Sequence, residues 1–243
     1  MIATSHASVR KSHSILLGIT SQAGWRVYNY YVNSIKKIAE ADFPSRWGQF
    51  RIYGFEGYFT NSVASKNDTP ADVNRRKESA VALVMGDIHS EPPLVRIHSQ
   101  CLTGDVFGSY RCDCRAQLEL ALERISELGR GILIYEDQEG RGIGLMAKLQ
   151  AYELQDGGLD TVQANEKLGF KPDCREYNLP AAILNLLNVK HVVLMSNNPE
   201  KVTALERSGI KVDRISAEVE PHPSSERYLR TKREKMGHIF SGC

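Results

Sequence analysis

The sequence predicts a mixed α/β protein, and three observations carry that prediction. Short alternating or continuous apolar segments come first, between residues 47 and 99; helical periodicity appears only beyond Cys114; from there strands and helices alternate. In chain order, WGQFRIYGF (47–55), AVALVMGDI (80–88) and LVRIHS (94–99) read as strands bounded by turn-rich breaks. The stretch from Thr60 to Glu78 carries Asn, Asp, Pro and an Arg-Arg-Lys cluster without apolar period, and reads as an exposed loop. Leu118, Ala121, Leu122, Ile125 and Leu128 then recur on one face of a helix over 114–128 that Gly129 ends. GILIY (131–135) is a short buried strand. The glycine-rich turn EGRGIG (139–144) opens a second helix on which Leu145, Leu149 and Tyr152 share an apolar face. VVLMS (192–196) is a further strand, and Asn198-Pro199 is an N-cap followed by proline at the first helical position, opening a helix that stops at Gly209. The expectation is one compact catalytic body, strand-rich at its N-terminal part and α/β at its C-terminal part.

The chain's 31 basic and 29 acidic residues leave a net charge of +2, which argues against a dedicated nucleic-acid binder. No apolar run of about eighteen residues exists, so no membrane span is expected. Glu40 is the first acidic residue, and Arg10, Lys11, Arg26, Lys36 and Lys37 precede it among many Ser and Thr. Transit peptides share that composition. Gly24 and the aromatic run Trp25, Tyr28, Tyr30 and Tyr31 read instead as packing material. Residues 1–40 are expected to form an N-terminal extension, in a cytoplasmic protein.

Five cysteines are an odd number, and Cys101, Cys112 and Cys114 crowd into fourteen residues, a poor disulfide framework. Three thiolates at this spacing suit a zinc ion. Three protein ligands leave a position for water, whose pKa falls to about 7, and that is a catalytic arrangement. His98 or Cys174 as a fourth ligand would close the site and make it structural. A non-catalytic zinc module is therefore the competing reading. Cys114 is expected at the start of its helix, where the positive dipole end favours a thiolate.

The segments RIHSQCLTGDVFGSYRCDC (96–114), DQEGRGIGLMAKLQAYELQDGGLDTVQAN (137–165), GFKPDCREYNL (169–179), MSNNPEKV (195–202) and YLRTKREKMGH (228–238) together resemble the GTP cyclohydrolase II family. The resemblance implies zinc-dependent opening of the imidazole ring of GTP at C8. Formate is released and pyrophosphate is cleaved with the help of Mg2+, giving a diamino-ribosylamino-pyrimidinone 5'-phosphate, the first step of riboflavin synthesis. It also implies a catalytic domain over 41–240, one Zn2+ per chain on Cys101, Cys112 and Cys114, and a homodimer. Nucleotide contacts are implied at Arg96, Ile97, His98, Ser99, Gln100, Gln117, Glu139, Gly140, Arg141, Thr161, Ser196 and Lys201, and catalytic roles at Asp173, Arg175 and Tyr152.

Elementary chemistry accords with several of these roles. One carboxylate such as Glu139 can accept both N1–H and the 2-amino group of guanine, a donor pair that adenine lacks. A Gly140-Arg141-Gly142 turn before a helix offers backbone N–H groups and a cation to a triphosphate. Lys201, in the first turn of its helix, can reach a phosphate as a point charge. Tyr152 can donate a proton to the nitrogen leaving C8. Arg175 fits a phosphate clamp better than a nucleophile, because its pKa exceeds about 12. Two positions depart from the family pattern: Gln100 stands where a glutamate is usual, and Asp137 where an arginine is usual. Both are expected to border the nucleotide, and a diverged paralogue with another product is the alternative they raise.

Overall fold

The computed structural model describes residues 30–61, 75–237 and 239. Seven strands form one sheet: β1 (Tyr30–Ser45), β2 (Gly48–Asn61), β3 (Arg75–Met85), β4 (Leu94–Ser99), β5 (Gly131–Glu136), β6 (His191–Met195) and β7 (Lys211–Ile215), ordered β1-β2-β3-β5-β4-β6-β7. The β1, β2, β3 and β5 neighbours pair antiparallel, while β5, β4, β6 and β7 pair parallel. Six helices complete the body: α1 (Cys114–Leu128), α2 (Leu145–Asp156), α3 (Thr161–Lys167), α4 (Asn178–Leu186), α5 (Pro199–Arg207) and α6 (Glu226–Met236). This is the mixed α/β class expected from the periodicities.

The central strands carry near-continuous apolar runs because both faces of the sheet are covered. Along β5, Ile132 and Ile134 join Phe55, Val95, Ile97, Leu179, Ile183 and Leu194 in one buried cluster. Leu133, between them, joins Phe50, Leu94, Ala121, Leu122 and Ile125 in the other. The first cluster is closed by α4 and α5 and the second by α1, so the strand's two-residue alternation feeds two cores at once. Helix ends follow their signals: Gly129 ends α1 at φ 65, and Asn198 accepts the Glu200 N–H at 2.9 Å with Pro199 at the first helical position.

Three expectations need correction. Strand β1 starts at Tyr30, so the boundary drawn between 40 and 41 falls inside a strand; β1 carries bulges between Val32 and Ser34 and between Lys37 and Ala39. The segment read as a loop to Glu78 is strand from Arg75, held against β2 by Lys77 and Glu56 at 2.6 Å. On α2 the inward residues are Lys148 and Ala151, and Leu149 is exposed. Residues 62–74 and the first 29 lie outside the described residues. No described helix is long and apolar enough to cross a membrane.

Candidate active site

The carboxyl ends of β4, β5 and β6 point the same way. Gln100 and Cys101 follow β4 and the tight turn Glu139–Gly142 follows β5, while Ser196 and Lys201, also expected in the site, follow β6. Ligands of open α/β sheets gather at this end of the strands. A cleft enclosing about 660 Å3, its open mouth included, is lined there by Ser99, Gln100, Cys101, Cys112, Cys114, Glu139, Gly140, Arg141, Tyr152, Thr161 and Arg175.

The sulfurs of Cys101, Cys112 and Cys114 all lie within 4.8 Å of one another, and the Cys101–Cys112 pair is at 3.6 Å. Tetrahedral zinc with Zn–S near 2.3 Å spaces its sulfurs about 3.8 Å apart, so the donor set and its spacing fit that ion. Gly104 makes the convergence possible. A Cβ there would lie 2.9 Å from Cys112 Sγ and 3.2 Å from Cys101 Sγ. Among the described residues no fourth Cys, His, Asp or Glu joins the group. The two candidates are engaged elsewhere: His98 Nε2 faces Asp105 at 3.1 Å, and Cys174 Sγ faces the Lys171 carbonyl at 3.8 Å. Among the described residues a closed four-ligand site therefore has no donor set.

The three thiols are electrostatically linked to one another. The neighbouring thiols of Cys112 and Cys114, and then Lys148, pull Cys101 far below the usual thiol range. Cys112 is pushed up to about 11, first by Cys101, because a second anion beside the first is opposed. The Asp105 carboxylate holds the loop that carries Cys101, accepting from the Cys101 backbone N–H at 3.0 Å and the Tyr135 hydroxyl at 2.9 Å.

Lys148, absent from the expected site, is its hub. Its Nζ lies 3.1 Å from Cys101 Sγ, 2.8 Å from Thr103 Oγ1 and 2.8 Å from Glu139 Oε1. Burial opposes its charge, but the Glu139 hydrogen bond and the Cys101 thiolate outweigh it, so its pKa is raised. Glu139 itself accepts from Lys148 and the Gly140 N–H, each at 2.8 Å, and from the Leu102 N–H at 2.6 Å. A carboxylate offers about four accepting directions. Reading two guanine donors at once would therefore require Glu139 to give up one of these protein bonds. Tyr152 hydroxyl meets Thr103 Oγ1 at 3.2 Å, and the Arg111 guanidinium lies 4.6 Å from its ring centre. Burial raises its pKa, keeping a phenolic proton in the cleft.

The glycine-rich turn also differs from expectation. Gly140, Arg141 and Gly142 have φ of 63, 63 and 87, and α2 begins only at Leu145. The N–H groups of Gly140, Gly142 and Gly144 are used inside the turn, on Glu139 Oε1, Gln138 O and Glu139 O. The turn's offer to an anion is the Arg141 side chain. A non-glycine residue held left-handed costs about 1–3 kcal/mol, and such strain gathers at functional sites.

Arg175 lines the cleft, and its guanidinium grips Asp173 by Nη2 at 2.5 Å and Nε at 2.9 Å. The pair is 13 and 15% exposed, so it is not the solvated surface pair that would be energetically idle. Burial raises the Asp173 pKa, but Arg175 outweighs it and holds the carboxyl below its usual range. Asp173 is not a lining residue.

Six further expected contacts do not line the cleft and have protein partners of their own or lie in the core. Ile97 is core; His98 stacks on Tyr135, and burial keeps it neutral. Arg96 donates to Gln117 Oε1 at 2.6 Å and to the Met195 carbonyl at 3.1 Å, and Gln117 donates to Asp113 at 2.6 Å. Ser196 accepts the Asn198 N–H at 3.1 Å. Lys201 is buried with Nζ on the Ile97 carbonyl at 2.8 Å; burial, then Arg96 and Arg175, push its pKa far down. Of the two departures, Gln100 borders the cleft and also a second groove that adjoins it, whereas Asp137 is exposed and borders only that second groove, with Ile38, Phe55 and Tyr135.

Sequence reasoning gave no role to Lys148 or Lys232, and noted Asp105 and Asp113 only as neighbours of the thiols. For Lys148 the signal was present: it stands four residues before Tyr152, on the same helical face.

Residues 36–217 match the model of the GTP cyclohydrolase II family. The chain is 50% identical over 206 residues to GTP cyclohydrolase-2 of Buchnera aphidicola subsp. Acyrthosiphon pisum, covering 84% of this chain and 98% of that protein. It is 48% identical over 210 residues to GTP cyclohydrolase-2 of Cronobacter sakazakii, covering 86% and 98%. It is 47% identical over 209 residues to riboflavin biosynthesis protein RibBA of Aquifex aeolicus, covering 85% of this chain but 48% of the relative, so it spans about half the length of that longer protein. With its three thiols converging at the carboxyl ends of the parallel strands, and with relatives matched over nearly their whole length, the chain belongs to the GTP cyclohydrolase II family of enzymes.

Proposed function

We propose that the protein hydrolyses GTP, opening the imidazole ring at C8 with release of formate and pyrophosphate, as a step of riboflavin synthesis. The observation that carries this reading is that three thiols suited to Zn2+ open into the same cleft as Arg141, Arg175, Glu139 and Tyr152. One cleft thus combines a metal donor set, cations for a polyphosphate and a proton donor.

Cys101, Cys112 and Cys114 would hold the zinc ion, whose Lewis acidity supplies the means for hydrolysis at a ring carbon. Tyr152, kept protonated by burial, serves as proton donor to the ring nitrogen that leaves C8. Arg141 and Arg175 bind the triphosphate, and Asp173, which takes the Nε and Nη2 edge of Arg175, holds the guanidinium in place for the transferring phosphoryl group. Mg2+ accompanies the triphosphate and offsets its charge. Lys148 anchors Cys101 and Glu139 so that the metal-bearing loop and the base-reading turn keep a fixed separation. The family resemblance supports a homodimer.

The test is to incubate the zinc-loaded protein with GTP and Mg2+ and to quantify formate, pyrophosphate and the opened-ring product, with zinc measured on the same sample. Formate and pyrophosphate in equal amounts are expected. Retention of the formyl group on the product would identify a diverged paralogue, and no ring opening at all would leave a metal module without this activity. Cys112→Ser should abolish ring opening while the circular dichroism of the fold persists.

A further inference from the structure

We propose that Lys232, on α6, is a positioning residue that fixes the Cys112–Cys114 turn by holding Asp113. Asp113 stands between two of the three converging thiols and occupies the N-cap of α1. An aspartate at that position ordinarily accepts a backbone N–H of the first helical turn. Here its side chain makes no cap hydrogen bond. The carboxylate is turned instead to Lys232 Nζ at 2.8 Å and to Gln117 Nε2 at 2.6 Å. Gln117 continues to Arg96, and Arg96 to the Met195 carbonyl, so one polar chain runs from α6 through the Cys-x-Cys turn to β4 and β6.

The ion pair is buried, with side chains 10 and 4% exposed for Lys232 and Asp113, and it joins residues 119 apart in sequence. A charge buried this deeply needs its partner, because the low-dielectric surroundings do not replace it. A second contact brings the same C-terminal segment to the same turn: the rings of His222 and Tyr110 stack with centroids 4.0 Å apart. Both Lys232 and His222 lie beyond residues 36–217 that the family model matches, and Lys232 falls in the 228–238 segment that resembles the same family. Helix α6 is thus a working part of the metal-bearing turn, since outer partners of ligand-bearing segments set how well the ligands are oriented.

The metal half of this inference rests on the zinc reading above, so the experiment separates the two. Hydrogen exchange of the full chain is followed by mass spectrometry for wild type, Lys232→Met and Lys232→Arg, each metal-free and zinc-loaded, and zinc release to a chelator is timed in parallel. Lys232→Met should speed exchange across residues 109–117 in both forms and hasten zinc release by about tenfold or more. Lys232→Arg, which keeps the charge and a donor, should recover most of both losses. Faster exchange confined to 218–237, with zinc release unchanged, would overturn the proposal and leave α6 a packing element. Should wild type bind no zinc, the metal reading falls and exchange across 109–117 decides the positioning role alone. If Lys232→Met does not fold, Asp113→Asn, which keeps an acceptor for Gln117 and loses the ion pair, is judged by the same exchange and release outcomes.

Discussion

Replacing Gly104 by alanine should weaken the metal site with little effect elsewhere. The new Cβ would stand 2.9 Å from Cys112 Sγ, 3.1 Å from Cys114 Cβ and 3.2 Å from Cys101 Sγ. Favourable contacts begin near 3.5 Å, so the closest approach is about 0.6 Å too short, and three neighbours block retreat in one direction. Metal sites tolerate ligand displacements of only about 0.2 Å. Overpacking of this kind costs about 1–3 kcal/mol. If that cost falls on the bound state, zinc affinity drops roughly fivefold to 150-fold, at 1.4 kcal/mol per factor of ten. Chelator competition measures the affinity, and thermal melting of the metal-free protein measures what the substitution does to the fold. An alanine variant that binds zinc within about twofold of wild type would refute the reasoning, because the loop from Cys101 to Cys114 would then move as a unit and keep its sulfurs in register.

Lys148→Met removes the cation shared by Cys101 and Glu139; breaking a buried pair from one side costs about 3–5 kcal/mol, and a lowered melting temperature together with reduced turnover is expected. Glu139→Gln places an amide against at least one of three donors, so about 1–3 kcal/mol of stability should be lost as well as GTP affinity; a normal melting temperature with raised KM would mean that the carboxylate is chiefly a base reader. The Asp173 carboxyl is held down by Arg175, so its stabilising contribution is present above the unfolded value of about 3.9 and fades as pH falls through its lower folded value. Asp173→Asn should therefore flatten the acid limb of a stability-versus-pH curve, and an unchanged limb would contradict the pairing. Asp137→Arg should leave KM for GTP unchanged at every ionic strength, since Asp137 is exposed and borders another groove; a salt-dependent fall in KM would put it back beside the phosphates.

The elements legible in the sequence are those whose signal is local. The α1 face, the left-handed Gly129 stop, the Asn198-Pro199 start and the doubly buried β5 run all follow from residues within one or two turns of each other. Strand β1 was not legible because its described residues from Ser34 to Ser45 are mostly exposed, leaving no apolar alternation. The start of β3 was hidden for a similar reason: Arg76, Lys77 and Glu78 are strand only because β2 pairs with them. Helices α3 and α4, of seven and nine residues, are too short for a period to stand out. In the site, the thiol cluster could be read from spacing, and Lys148 could have been read from its place one turn before Tyr152 on α2. Lys232 stands in the 228–238 segment that carries the resemblance, but its contact with Asp113 could not be read, because a tether across 119 residues leaves no local trace.

The two outer strands bear on how this chain can associate with others. An edge strand exposes a row of unpaired backbone groups, which invites lateral addition of a foreign strand. Along β1 the two bulges break the register on which such addition depends, and Lys36, Lys37, Glu40 and Asp42 set charges along the same strand. At the opposite edge β7 has five residues, with Lys211, Asp213 and Arg214 exposed. One border is irregular and charged, the other short and charged. Growth of the described sheet from copy to copy, the route to ribbons and fibrils, is disfavoured at both of its borders.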